Sequence, residues 1–114
     1  MNRRKIGKMG EDVATAFLES KGIVILKRNY RNRFGEIDII AKERNILLFI
    51  EVKYRKDPKF GYPLEAVGVV KQEKIKKIAS YYLNESYSGE YMDIRFDCIG
   101  IMESKIEWIK GAFY

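Results

Sequence analysis

The sequence predicts an α/β domain in which one mixed β-sheet is flanked by helices, with the elements in the order αβββαββ. Two segments repeat apolar residues at helical spacing, and five shorter segments are rich in β-branched and aromatic residues. The two kinds of segment are interleaved along 114 residues. That length suits one hydrophobic core, so we expect residues 1–114 to form a single domain.

Residues 4–21 predict the first helix. Val13 and Phe17 recur at helical spacing, and Gly22 follows where a helix C-terminal cap is expected. Glu11 falls at the edge of the predicted apolar face, beside two small residues. Small neighbours let another backbone approach this carboxylate, so Glu11 is a candidate functional residue.

The later elements follow from alternation and turn signals. Strands are predicted over residues 23–27, 36–41, 46–55, 94–101 and 106–109, a helix over 69–83, a polar connector over 28–33, a hairpin turn over 42–45, loops over 56–63 and 84–93, and a last turn over 103–105. A turn centred near residues 43–44 makes an antiparallel hairpin in which Asp38 lies opposite Phe49. The final residues, 111–114, predict nothing by pattern.

Composition excludes several kinds of chemistry. The chain has no histidine, which removes Ser-His-Asp catalysis, Cys-His catalysis and imidazole-bound zinc. It has one cysteine, Cys98, so an intrachain disulfide and a cysteine metal cluster are excluded. The longest apolar run, Ile46–Ile50, is too short to span a bilayer, and no signal peptide is visible. We therefore expect a cytoplasmic protein that does not bind membranes.

The charge is positive and unevenly distributed. The formal net charge is +6, but residues 1–84 carry 19 basic and 10 acidic side chains, whereas residues 85–114 carry 3 basic and 6 acidic ones. A basic body favours a polyanionic partner such as nucleic acid, although a charged surface that only keeps the protein dissolved is an equal alternative.

Two neighbouring strands carry the residues with catalytic potential. Because alternate side chains of a strand share a face, Glu51 and Lys53 project together, and Asp38 on the partner strand lies diagonally from Glu51. Two carboxylates about 4 Å apart repel by about 4 kcal/mol at an effective dielectric constant of ~20. Oxygen ligands of this kind suit Mg²⁺ or Mn²⁺, and Lys53 beside the ion suits phosphodiester hydrolysis.

More ordinary interpretations remain open for these residues. A Glu-x-Lys pair on a strand can be an exposed ion pair worth under about 1 kcal/mol. Lys71 falls on the core-facing side of the second helix, where it either extends to the rim or reaches into a site. Arg95 and Asp97 share a strand face and are interpreted as a structural ion pair rather than catalytic residues.

A series of motifs runs along the chain: Gly7-x-x-Gly10-Glu11-x-x-Ala14, Arg28-Asn29-Tyr30-Arg31, Gly35-Glu36-Ile37-Asp38, Phe49-Ile50-Glu51-Val52-Lys53-Tyr54-Arg55, Phe60-Gly61-Tyr62-Pro63, Lys71 and Arg95-Phe96-Asp97. This ordered set resembles the YraN family of small bacterial proteins. The family looks like a branch of the PD-(D/E)xK nuclease superfamily and is similar in pattern to archaeal Holliday-junction resolvases. The resemblance covers residues 3–101.

The resemblance implies a restriction-endonuclease-like fold and Mg²⁺- or Mn²⁺-dependent cleavage of DNA. Carried over by position, Asp38, Glu51 and Glu11 would be metal ligands, and Lys53 would be the superfamily lysine, so that these four residues form the catalytic set. The superfamily's proline is absent, because Ile37 precedes Asp38. Resolvases cut two strands symmetrically, so analogy implies a homodimer.

The basic residues that would contact DNA are Arg31, Arg33, Arg55, Lys71 and Lys74. The leading hypothesis is therefore a metal-dependent DNA endonuclease that selects branched or junction-like structures. The main alternative is a non-catalytic nucleic-acid-binding protein that keeps the nuclease fold. A third is an interaction protein that dimerises or docks through aromatic residues, of which the chain has eight tyrosines and six phenylalanines.

Overall fold

The computed structural model describes residues 3–55, 68–86, 93–102 and 105–113, without the side chains of residues 3–7 and 55. The elements are α1 (Arg3–Ser20), β1 (Val24–Asn32), β2 (Gly35–Glu43), β3 (Ile46–Arg55), α2 (Val69–Ser86), β4 (Asp93–Met102) and β5 (Lys105–Phe113). This order confirms the predicted αβββαββ arrangement. The predicted loop 56–63, most of the loop 84–93 and residues 103–104 lie outside the described residues.

The sheet is mixed, as predicted. Its five strands lie in the order β1-β2-β3-β4-β5. The central pair, β3 and β4, is parallel, and the other neighbours are antiparallel. Parallel neighbours need a crossover connection, and α2 lies within that connection.

Each helix covers one face of the sheet. The α2 face is centred on Phe49, which stacks on Phe96 with ring centroids 5.6 Å apart. The core on the α1 side is built from aliphatic residues of α1, of the segment before β1 and of the three central strands. Its buried members are Ala14, Leu18, Ile23, Ile39, Ala41, Leu48, Ile50, Ile99 and Ile101. Among the described residues, neither helix is long and apolar enough to cross a membrane.

The buried row of α1 differs from the predicted one. Val13 is 43% exposed, whereas Gly10, Glu11 and Ala14 are buried. Gly10 lies against β3, where a Cβ atom would be 3.6 Å from the Cβ atom of Tyr54, an ordinary van der Waals contact. Glu11 therefore faces the sheet rather than lying at the edge of the apolar face.

The end of α1 confirms the predicted glycine cap. Gly22 has a φ of 82°, and the Ile23 N–H donates to the Leu18 carbonyl at 3.1 Å. The Gly22 N–H donates to the Glu19 carbonyl at 3.0 Å. These two bonds form a Schellman motif, which only a residue tolerant of positive φ can close without strain.

The predicted connector 28–33 is wrong, because β1 continues to Asn32. The residues at this strand end are polar and their alternation is broken, so the sequence pattern does not indicate a strand there. The register with β2 shifts between Ile25 and Lys27, and Asn29 has a left-handed φ of 54°. Asparagine tolerates that conformation better than most residues.

The predicted register of β2 and β3 is also wrong. Ile40, not Asp38, lies opposite Phe49, because the turn is centred on Arg44 and Asn45. In β2, Ile37 and Ile40 both join the α2-side core, so alternation of faces breaks between them. Residues two apart therefore do not share one face along the whole of β2.

Candidate active site

Asp38 lies where β2 and β3 diverge. The described register between these strands runs from Glu43–Ile46 to Ile39–Ile50 and ends there. Beyond it, the Val52 N–H donates to the Asp38 carboxylate (Oδ2) at 2.8 Å. A side chain has thus taken the place of a strand carbonyl, and it fixes one carboxylate oxygen beside the next residues of β3.

The environment of Asp38 disfavours its charged form. Burial and the nearby Glu51 carboxylate raise its pKa from 3.8 to about 7, and Glu11 contributes in the same direction. The Val52 N–H and the Lys71 ammonium lower the pKa but do not compensate. The sequence-based expectation that acidic residues crowd together here agrees with this geometry.

Glu51 follows the fully buried apolar half of β3 and is itself only 4% exposed. Its Oε2 atom lies 2.8 Å from the Lys71 Nζ atom of α2. Lys71 therefore reaches into the site, which decides between its two predicted placements. The Glu51–Lys71 contact also shows that the ion-pair partner of Glu51 is supplied by the helix, not only by the neighbouring residues of its own strand.

Lys53 lies beside the same two carboxylates. Burial is the largest cause that lowers the pKa of Lys53, and contact with the Lys71 amine lowers it further. The negative charges of Glu51 and Asp38 raise this pKa but do not compensate. For Lys71, burial also lowers the pKa, but hydrogen bonds with Glu51 and Lys53 raise it above its ordinary value. The site therefore holds two adjacent amines of unequal basicity.

Glu11 lies on α1, which covers the face of the sheet opposite α2, and it is near enough to Asp38 to raise the pKa of that carboxyl. Its Oε1 atom accepts hydrogen bonds from Asn29 Nδ2 at 2.8 Å and from Arg28 Nε at 3.2 Å. Arg28 also binds Asp12 at 2.6 Å. Arg28 and Asn29 belong to one of the sequence motifs, but no role was predicted for them. An asparagine among basic residues was the signal that could have indicated a partner for a carboxylate.

Two of the carboxylates have donor chemistry that suits a metal ion. Within the described residues, no three cysteine, aspartate or glutamate side chains form a metal cluster. Mg²⁺ commonly uses only one or two protein carboxylates and completes its shell with water and phosphate. Asp38 and Glu51, two close oxygen donors that repel each other, fit this requirement. Glu11 is already bound by Arg28 and Asn29, so its predicted role as a ligand stays a prediction.

The predicted nucleic-acid-binding residues occupy different places. Lys71 is in the site, and Lys74 lies one turn further along α2. Arg31 is 76% exposed at its side chain and pairs with Glu36 at 2.8 Å. Arg33 lies over the Phe34 ring, 4.9 Å from its centroid. The Arg55 side chain lies outside the description, while its backbone pairs with Met102.

Asp97 and Arg95 form the structural ion pair that the sequence predicted. Asp97 is fully buried, and Arg95 donates to both of its oxygens, at 2.8 and 2.9 Å. Trp108 Nε1 and the Gly111 N–H donate to it at 3.0 and 2.9 Å.

The thiol of Cys98, beside Glu51 in the sheet, is buried, which raises its pKa to about 11 and keeps it protonated.

The fold and this group of side chains define the class: an α/β protein of the restriction-endonuclease-like type, with acidic and lysine residues at a gap between two central strands. Residues 10–101 match the model of the family described as "Uncharacterised protein family UPF0102". The chain belongs to this family, which is the YraN family of the sequence-based prediction.

Relatives of similar length support this assignment. A UPF0102 protein of Fusobacterium nucleatum is 48% identical over 100% of this chain and 95% of its own length. A UPF0102 protein of Thermodesulfovibrio yellowstonii is 48% identical over the whole of both chains. A UPF0102 protein of Clostridioides difficile is 46% identical over 99% of this chain and 100% of its own length.

Proposed function

We propose that this protein is a metal-dependent endonuclease that hydrolyses phosphodiester bonds in DNA. The observation that carries the proposal is the pair of carboxylates, Asp38 and Glu51, held with two amines at the point where β2 and β3 diverge. Keeping like charges and a partly desolvated lysine together costs stability, which makes a functional site the better explanation than an accidental surface pair.

Each residue would have a distinct role. Asp38 and Glu51 would hold Mg²⁺ or Mn²⁺, and Lys71 would fix the Glu51 carboxylate through the 2.8 Å contact. A bound ion would polarise the phosphodiester and lower the pKa of a water molecule. The Lys53 amine would orient that water or neutralise the charge that develops on the phosphate oxygens. Glu11, positioned by Arg28 and Asn29, would add negative charge from the other side.

The decisive experiment is a cleavage assay on labelled single-stranded, duplex, flap and four-way-junction DNA. We expect cleavage with Mg²⁺ or Mn²⁺, none with EDTA, and none by Glu51→Gln. Glu36→Gln, which alters a half-exposed strand carboxylate paired with Arg31, is the matched control and should cleave normally. DNA binding without cleavage of any substrate would support the non-catalytic alternative instead.

The remaining expectations belong to the same proposal. Preference for junction or branched DNA would appear as selective cleavage within that panel. A homodimer would appear as twice the chain mass in light scattering of the free protein, and it would give symmetric cuts. We place the activity in the cytoplasm, where such a nuclease would meet chromosomal DNA.

A further inference from the structure

We infer that the surface between α2 and the β1–β2 turn binds an unpaired strand of nucleic acid that leads into the candidate active site. The contact would place a base against Tyr81 and the Arg33–Phe34 pair, and phosphates against Lys74 and Lys77. This inference deepens the proposed function by naming its substrate class, and it depends on that proposal only for the link to cleavage.

Two adjoining open hollows form this surface. Their volumes are about 460 and 560 Å³, and both are lined by Arg33, Phe34, Glu73 and Lys77. Each volume lies in the range of ~300–1,000 Å³ that is usual for small-molecule and cofactor sites. Because they share these residues, together they form one elongated groove along α2, which suits a chain-like ligand better than a compact one.

Aromatic and guanidinium planes lie along the groove. The Phe34 and Tyr81 rings are 6.2 Å apart at an angle of 67°, and the Arg33 guanidinium lies 4.9 Å from the Phe34 centroid. Bases of single strands stack on aromatic rings and on arginine planes, and this contact tolerates any sequence. Arg33 therefore contacts the Phe34 ring and brings a guanidinium plane to the groove beside two aromatic rings.

The charge of the groove favours a polyanion. Its lining includes Arg33, Lys74, Lys76 and Lys77 against the single carboxylate of Glu73. Glu73 pairs with Lys76 at 3.3 Å, so the remaining three cations are not matched by an acidic residue of the lining. Regularly spaced phosphates would supply the opposite charge.

The groove and the active site are neighbours along α2. Lys71, which contacts Glu51, and Lys74, which lines the groove, are separated by about one helical turn, or ~4.5 Å along α2. Lys77 and Tyr81 continue the same side of the helix at spacings of three and four residues. A strand bound along this side would therefore reach the Asp38–Glu51 pair at the N-terminal end of α2.

An unpaired strand fits these groups better than a duplex does. The planar groups lie in a concave surface, and they can contact only bases that are not already stacked and paired inside a duplex. A duplex could use the lysines but would leave Tyr81 and Phe34 without a role.

The test is binding of fluorescently labelled oligonucleotides, followed by anisotropy in EDTA so that no cleavage occurs. The probes are a 20-nucleotide dT strand, the corresponding U strand and a blunt DNA duplex. Tyr81→Ala should weaken dT binding by roughly fivefold to a hundredfold, the loss typical of one stacked base, whereas Tyr81→Phe should bind like the wild type. Lys77→Gln should weaken binding, and Lys105→Gln, an exposed lysine on β5, should not.

Each outcome bears on the inference separately from the nuclease activity. Equal dT affinity for Tyr81→Ala and the wild type, or a blunt duplex bound at least as tightly as dT, would overturn the inference. In that case Glu51-dependent cleavage could still support the proposed function. Loss of dT binding in Tyr81→Ala without any cleavage by the wild type would support the groove and reject the nuclease. Comparison of dT with U shows which nucleic acid the groove prefers.

Discussion

Lys53 and Lys71 lie beside the same carboxylates, yet their pKa values shift in opposite directions. Lys71 donates to Glu51 and is held in its charged form, so it compensates a buried carboxylate. Lys53 is partly desolvated and lies next to another cation, which favours loss of its proton. At the residue scale, Lys71 is therefore suited to holding the site together and Lys53 to acting on a water or phosphate.

Lys53→Ala should abolish cleavage while leaving the fold and most DNA binding intact. Losing one charge-stabilising group in an active site typically lowers kcat by about 10²–10³-fold, and Lys53 is only one cation among many for binding. Single-turnover cleavage and anisotropy would measure the two effects. Lys42→Ala, a half-buried strand lysine at the far end of β2, is the control. Cleavage by Lys53→Ala near the wild-type rate would mean that Lys53 has no catalytic part.

Period-two alternation depends only on the backbone, so the sequence predicted Glu51 and Lys53 as neighbours. The sequence also placed Asp38 beside them, but from a β2–β3 register that the structure does not keep. It could not predict the Asp38–Val52 hydrogen bond, which depends on where the β2–β3 register ends. The sequence left open whether Lys71 extends to the rim or reaches into the site, because the approach of Lys71 to Glu51 depends on how α2 packs against the sheet.

At the scale of elements, Asp97 determines how far β5 extends. Phe96 pairs with Phe113 and Cys98 with Ile109, so β5 carries a bulge opposite Asp97. The Gly111 N–H turns toward the Asp97 carboxylate, and Gly111 has a left-handed φ of 64°. The bulge lets β5 continue to the buried Phe113. Short-range patterns could not predict this longer strand, because residues 110–113 do not alternate between apolar and polar side chains.

Asp97→Ala should lower the free energy of unfolding by about 3–5 kcal/mol, because it leaves a half-buried arginine and two N–H donors without their acceptor. Urea denaturation followed by circular dichroism would measure it. Glu43→Ala removes the other carboxylate bound to Arg95, at a more exposed position, and should cost under about 1 kcal/mol. If the two variants lose equal stability, Asp97 does not stabilise the bulge.

At the scale of the whole molecule, Asp38 makes stability depend on pH. Its pKa is raised from 3.8 to about 7, so between these values the folded protein keeps a proton that the unfolded chain releases. The metal-free protein should therefore lose stability as the pH rises from about 4 to about 7. Asp38→Asn keeps an acceptor for Val52 but removes the titration, so its melting temperature at pH 8 should exceed that of the wild type.

Added Mn²⁺ should reverse this cost in the wild type. An ion that binds only the folded state stabilises it by about 2.7 kcal/mol at a hundredfold excess over Kd. The increase in melting temperature at pH 8 should be smaller in Asp38→Asn, which lacks one charged donor. A less stable metal-free Asp38→Asn protein with an unchanged Mn²⁺ response would show that Asp38 has a purely structural part and that any ion binds elsewhere.

Binding of nucleic acid by the whole molecule should depend steeply on salt. Each phosphate neutralised on a single strand contributes about −0.7 to the slope of log affinity against log salt, and about −0.9 on a duplex. If Lys77 contacts one phosphate of a bound strand, Lys77→Gln should make the slope shallower by about 0.7, whereas Tyr81→Ala should lower affinity at every salt concentration with the slope unchanged. Anisotropy titrations of labelled dT between 50 and 300 mM KCl, roughly the range over which such binding weakens strongly, would separate the two effects. A wild-type affinity that does not change with salt would contradict phosphate contacts altogether, and with them the assignment of the basic surface to a nucleic-acid partner.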